Sequence, residues 1–171
     1  MENTRFICFH FFQSRGFDNS TLTGLDISAK MLQQANQRNS YTSLVKGNLH
    51  DKLPFPENYY DYVVCIGPTT FLGNELVRWY FLNNVSHNFK FNFSDPECLK
   101  DWLKVVKPGG RIVFANKTQI CPFWEPTQDR LEAENMWKCV WKSHDLYHMP
   151  CNPKEDSNTR VKVMIYQKTF S

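Results

Sequence analysis

The chain is short of glycine. It has 7 in 171 residues, and none stands before Gly16. A Gly-x-Gly turn that lets backbone approach a ligand closely is therefore missing from the first part of the sequence. Cysteine is present at 8, 65, 98, 121, 139 and 151, but no C-x-x-C pair occurs. Those spacings exclude a zinc finger, and no metal site is expected. The chain is also long and apolar enough not to need a disulfide framework, so reduced, buried thiols are expected. Basic residues never run five together, and the net charge is only +3. Neither feature points to nucleic acid. No apolar stretch approaches the ~20 residues of a membrane span. The run Phe6–Phe12 is interrupted by His10 and is followed by no small-residue cleavage site, so it does not read as a secretory signal. A cytoplasmic protein is expected. On that reading the N-x-S/T triplets at Asn19, Asn84, Asn92 and Asn116 are chance matches.

Aromatic residues are plentiful: 14 Phe, 7 Tyr and 5 Trp. They concentrate in Phe6–Phe17 and Trp79–Phe93. The length suits one domain with a real core. Thr21–Ile27 reads as a short strand that ends in an acid, Asp26. Ser28 then caps a helix through its hydroxyl, with Met31, Leu32 and Ala35 on the apolar face. Tyr41–Leu49 is a second strand candidate, followed by a loop that holds Pro54 and Pro56. Tyr60–Ile66 is nearly all apolar, as suits a parallel strand buried on both faces. Ser94-x-x-Glu97 predicts a capping box for a helix from about Asp95 to Val106. Leu99, Trp102, Leu103 and Val106 form its stripe. Lys107-Pro108-Gly109-Gly110 predicts a turn, and Arg111–Ala115 the next strand. A ragged helix is expected over Thr127–Lys138, a weak strand over Lys138–Leu146 and an alternating strand over Arg160–Lys168. Strands alternating with helices predict an α/β sheet of parallel order.

Asp26 is the candidate with most chemistry. A carboxylate at the carboxyl end of the second strand of a dinucleotide-type sheet faces the crevice, where it can accept both hydroxyls of a ribose. The plainer alternative is a helix-start acid favoured by the dipole. Its surroundings favour the ribose. Leu25-Asp26-Ile27-Ser28 leads into Met31, Leu32 and Ala35. Gly47-Asn48-Leu49 precedes Leu53-Pro54-Phe55-Pro56 and Tyr60–Val64. Val106–Gly110 leads into Arg111-Ile112-Val113.

In this order and spacing the blocks resemble the class I S-adenosylmethionine-dependent methyltransferase domain. Among its members they are most similar to the methyltransferase-like proteins of the Williams–Beuren-region type. The resemblance covers roughly Gly16 to Lys168. It implies a Rossmann-like sheet with helices on both faces, S-adenosylmethionine as cofactor, and methyl transfer to an unidentified small-molecule or protein acceptor. It places Asp26 on the cofactor ribose and Ile27 against the adenine. Asn48 stands where the family usually has an acid near the adenine amino group. Leu49 offers the backbone amide beside it. Cys65 falls where members contact the amino-acid part of the cofactor. No catalytic residue is assigned. His50, His144 and His148 are candidate bases that the family does not require, because much of the acceleration comes from positioning. Tyr147 has equally little to mark it as a catalyst.

Two departures shape the expectations. The glycines of the fingerprint should precede the acid by about 20 residues. That count reaches Met1–Phe6, which has none. Gly16 matches the glycine closing the first family helix, so Phe6–Arg15 is expected to be that helix. The first strand is then expected to be missing, leaving an N-terminally incomplete single domain over 1–171 with unpaired edges at the sheet centre. Phe6–Phe12 slipping into the vacant slot is the alternative. The second departure is the long aromatic connection from Gly67 to Ser94, read as an insertion over 72–93 rather than a substrate lid. An impaired enzyme is the resulting expectation. A non-catalytic truncated isoform or remnant acting through binding is the competing one, and a nicotinamide-dependent oxidoreductase a third. The Leu-Pro-Phe-Pro and Lys-Pro-Gly-Gly blocks argue against the last.

Overall fold

The structure is a computed structural model. It describes residues 4–8, 20–39, 41–49, 51–66, 96–147 and 159–170. The expected insertion at 72–93, Ser94, Gly16, His50 and His148 lie outside the described residues.

Eight strands and three α-helices are described: β1 (Thr4–Cys8), β2 (Ser20–Asp26), α1 (Ala29–Gln37), β3 (Ser43–Lys46), β4 (Tyr60–Ile66), α2 (Cys98–Val105), β5 (Val106–Lys117), α3 (Cys121–Ala133), β6 (Trp137–Lys142), β7 (Leu146–Tyr147) and β8 (Arg160–Lys168). They form one sheet in the order β3-β2-β1-β4-β5-β8-β6, with β7 also paired to β8. The neighbours from β3 to β5 are parallel. β8 runs antiparallel to β5, β6 and β7, so the expected parallel order holds for only part of the sheet. This is the Rossmann-like α/β class.

The expectation of a missing first strand is overturned. Thr4–Cys8 fills the centre of the sheet, pairing with β2 from Thr4↔Ser20 to Cys8↔Gly24 and with β4 from Phe6↔Tyr62 to Cys8↔Val64. The physical reason is backbone demand. A parallel strand between two others satisfies donors and acceptors on both sides, and Phe6-Ile7-Cys8 suits such a site by composition. Reading Gly16 as the close of the first helix had assigned Phe6–Cys8 to that helix. Only residues 9–19 lie between β1 and β2, close to the shortest crossover that joins parallel strands.

α2 buries Leu99, Trp102 and Leu103, and Val106 follows at the start of β5, as the stripe predicts. Ser94, the first residue of its expected capping box, lies outside the described residues. Glu97 is the N-cap residue, and its carboxylate pairs with Lys100 at 3.0 Å and with Arg130 of α3. The turn at Lys107–Gly110 lies inside β5. Val106 pairs with Tyr60 and Arg111 with Tyr62, so four residues bulge opposite Asp61. Gly109 takes φ +77°, and a Cβ on Gly110 would stand 2.8 Å from the Asp61 carbonyl oxygen. Lys107 Nζ binds Asp61 Oδ1 at 2.7 Å across the same bulge.

α3 begins six residues before the expected Thr127 and ends before Lys138. Its prolines explain the shift. Pro122 lies in the first turn, where a missing N–H costs nothing, and Pro126 is carried inside the helix. Asn135, at φ 54°, then turns the chain into β6.

The core lies on the face covered by α2 and α3, while α1 packs on β2 and β3 on the other. At its centre Phe114 stacks with Tyr166 at 5.8 Å and meets Trp102 edge-on at 6.3 Å. Trp137 and Tyr166 stack at 4.0 Å. Gln128 anchors both: Tyr166 donates to its Oε1 at 2.8 Å and Trp137 Nε1 to its carbonyl at 3.1 Å. Burial pushes the Tyr166 phenol well up, so it remains a donor. Lys168 Nζ donates to the Leu103 and Val106 carbonyls at 2.7 and 2.9 Å and to Asn58 Oδ1 at 2.8 Å, tying β8 to the end of α2. Desolvation lowers its pKa.

The bulge yields a test. Gly110→Ala should cost about 1–3 kcal/mol in urea unfolding, because two backbone oxygens and the buried, β-branched Val106 meet the new methyl group. An unchanged midpoint would show that the bulge gives way freely.

Candidate functional site

The strand order reverses between β1 and β4. In open α/β sheets ligands sit outside the carboxyl ends of the strands at such a point. The register defines that edge. Gly24, Cys8 and Val64 lie side by side. Two residues further on, Asp26 of β2 and Ile66 of β4 are level, two strand spacings or about 9.5 Å apart. Ile66 pairs with Ala115 of β5. On the other side Asp26 pairs with Lys46 of β3.

Asp26 is the last residue of β2. Its Oδ1 accepts a hydrogen bond from the Ser28 amide at 2.7 Å. Ser28 Oγ in turn accepts from Met31 N at 3.3 Å, which caps α1 as expected. The carboxylate is thus held at the mouth of α1, half-buried, beside the positive end of a helix dipole. Ile27 follows it and is 66% exposed. An aliphatic side chain left in water forgoes about 1.5–3 kcal/mol of burial, so an apolar ligand surface there would be stabilising.

The second sequence block meets the first through one bond. Gly47 N donates to the Asp26 carbonyl at 3.1 Å. The approach is close: a Cβ on Gly47 would stand 3.0 Å from Leu25 Cδ1. Asn48 and Leu49, both half-buried, therefore follow directly beside Asp26. The Asn48 carbonyl accepts from Asp51 N at 3.1 Å, forming the turn after β3. Leu49 packs on the core and its carbonyl accepts from Trp102 Nε1 at 3.4 Å.

Asp26, Ile27, Asn48 and Leu49 are thus brought together. Cys65 is placed differently. It is fully buried on the core face of β4, beside Phe114 of β5, one residue short of the edge. Its thiol belongs to the floor beneath the crevice. Sequence reasoning missed Asn116, fully buried at the carboxyl end of β5, although its triplet with Thr118 was visible. Tyr147 is 59% exposed, with the Arg160 guanidinium 3.6 Å from its ring centroid. Among the described residues no cluster of His, Cys, Asp or Glu could hold a metal ion, and no helix is long and apolar enough to cross a membrane.

A Rossmann-like sheet with an acid at its switch point is the kind of scaffold on which nucleotide cofactors bind. The family follows from comparison. Residues 7–114 match the model of the methyltransferase domain, and the chain belongs to that family. It is 33% identical over 105 residues to a demethylmenaquinone methyltransferase of Bacillus licheniformis, an alignment covering 60% of this chain. The chain spans only about a third (36%) of that relative's length. A TehB-like SAM-dependent methyltransferase from Corynebacterium glutamicum superposes with a TM-score of 0.62 at 13% identity, covering 99% of this chain and 82% of that one. Geranyl diphosphate C-methyltransferase from Streptomyces coelicolor, solved with Mg2+, geranyl diphosphate and S-adenosyl-L-homocysteine, gives 0.61 at 14% identity, covering 98% and 73%. These likenesses carry the fold.

The capping chain that holds Asp26 is testable. Ser28→Ala should cost about 1 kcal/mol of stability by leaving the Met31 amide without its side-chain acceptor. Denaturant melts of the two proteins measure it, and equal midpoints would remove Ser28 from the support of the site.

Proposed function

We propose that this chain binds S-adenosylmethionine across the carboxyl ends of β2, β1 and β4 and transfers its methyl group to a small-molecule or protein acceptor. The observation that carries the reading is the pairing of Asp26, fixed at the switch point, with Ile27, left exposed beside it. In this reading the Asp26 carboxylate accepts both ribose hydroxyls. Ile27 covers one face of the adenine. The Asn48 amide and the Leu49 backbone N–H address its edge, and an amide can both donate and accept there. Cys65 lines the floor under the amino-acid part.

When bound, the sulfonium supplies an electrophilic methyl group: the acceptor's lone pair forms the new bond as the carbon–sulfur bond breaks, and S-adenosylhomocysteine is left. The chain's own part is to hold the donor in line and exclude water. The names of the quinone and diphosphate relatives favour a small-molecule acceptor. Within the family we place the chain nearest the Williams–Beuren-region type, on the Leu53–Pro56 and Lys107–Gly110 blocks. The free Cys121 and Cys139 agree with a reducing, cytoplasmic setting. Between Cys8 and Gly16 the sequence offers no glycine, so we infer an affinity for cofactor weaker than in members that keep the glycine turn.

Calorimetry with S-adenosylhomocysteine tests the assignment. Asp26→Ala removes charge-assisted bonds of roughly 1.5–3 kcal/mol in total, so affinity should fall about tenfold or more. Equal, tight binding by both proteins would defeat the ribose role, and no binding by the wild type would defeat the cofactor reading.

A further inference from the structure

Asn116 is the one residue whose side chain is fully buried with neither end of its amide hydrogen-bonded, among the described residues. Two residues on, the buried Thr118 hydroxyl is also without a partner. Each such atom costs about 1–3 kcal/mol when sealed from water, so three of them within three residues require an explanation. Asn116 stands one residue before the end of β5, and Thr118 opens the 3-10 turn that follows, with Lys117 between them at φ −58° and ψ 137°.

The position is informative. Asn116 lies one residue past Ala115, which is level with Ile66 and hence with Asp26. It is three strand spacings, about 14 Å, from Asp26, beyond β1 and β4. A donor held by its ribose at Asp26 and extending across β1 would present its reactive end towards β5. Among the described residues, an ion pair lies beside it. Asn116 pairs in register with Lys162, whose ammonium is 3.6 Å from Asp145 Oδ1. Cys121, at the start of α3, feels Lys162 and Lys142 against Glu125 and Asp145. Its thiol is pushed up chiefly by burial and donates to the Lys117 carbonyl at 3.6 Å.

We propose that Asn116 and Thr118 form the acceptor-head subsite, built for a neutral group that presents a hydrogen-bond donor beside an acceptor, as a lactam or primary carboxamide does. The Asn116 amide meets such an edge with paired, opposed hydrogen bonds, and Thr118 adds a third. An anionic head is disfavoured, since Lys162, the cation in register with Asn116, is already paired with Asp145. The assignment rests on the methyl-transfer reading for its place in the reaction, but the subsite itself can be tested separately.

The probes are 2-pyridone and benzamide, with benzoate and toluene as controls, observed by saturation-transfer NMR with and without S-adenosylhomocysteine. The proteins are wild type, Asn116→Leu and Thr118→Val. Both substitutions remove polar atoms that have no partner, so melting temperatures should hold or rise. Affinity for S-adenosylhomocysteine should stay within about twofold, and affinity for the two amide probes should drop about tenfold. If Asn116→Leu does not fold, the burial of its amide is not the liability described here and Thr118→Val decides the subsite. Amide probes that ignore the wild type, or that bind all three proteins alike, overturn the proposal. Failure of the wild type to bind S-adenosylhomocysteine overturns the cofactor reading instead, and the probe comparison without cofactor still decides the subsite.

Discussion

A parallel strand hydrogen-bonded on both sides cannot slide without breaking two ladders at once. Thr4–Cys8 is held in that way, and the whole carboxyl edge takes its levels from it. A shift of one residue would turn every side chain of a strand to the opposite face. Asp26 and Ile66 share a level because each is two residues beyond a partner of Cys8. The distance between Asp26 and the end of β5 is fixed by the same ladder. The sheet's central pairing is thus the ruler on which the site is laid out.

The core beneath the sheet is held by different means. Tyr166, Trp137, Phe114, Trp124 and Trp102 make a nearly continuous aromatic core, and Gln128 satisfies its two most buried donors. One polar side chain thereby lets an indole and a phenol be buried together without leaving their N–H and O–H groups stranded. Lys168 serves the start of β5 similarly, with three oxygens around one ammonium. Among the described residues, three of the four unpaired buried side-chain atoms stand at the carboxyl edge of β5, on Asn116 and Thr118, and the fourth is Gln128 Nε2 in this core.

Much of this arrangement could be read from residues alone. Periodicity located α1 from Met31, Leu32 and Ala35, α2 from Leu99, Trp102 and Leu103, and β8 from its alternation. The cluster of Asp26, Ile27, Asn48 and Leu49 was visible as two blocks. The bond from Gly47 N to the Asp26 carbonyl that joins them depends on strand pairing, which spacing does not encode. β1 was misread because the place of Gly16 stood in for backbone pairing. α3 was misread because Pro122 and Pro126 look like breakers unless the helix start is known. Cys65 was assigned to the cofactor by its position at a strand end, and its burial in the core cluster depends on packing that the spacing does not encode. Asn116 went unnoticed because a polar residue at the end of an apolar strand gives no sign of whether a partner awaits it.

β8 has a further consequence, for the order in which the molecule can assemble. It comes last among the described strands, yet it sits between β5 and β6. Until residues 160–168 leave the ribosome, β5 has an open edge on that side and β6 has no neighbour to dock on. Phe114 and Trp137, which Tyr166 later covers, are exposed for all of that interval. Contacts that join such distant parts of a chain form slowly, and open apolar edges invite wrong partners while they wait. A chaperone that shields the β5 edge during synthesis would therefore govern how much of this protein a cell obtains, however stable the finished fold is.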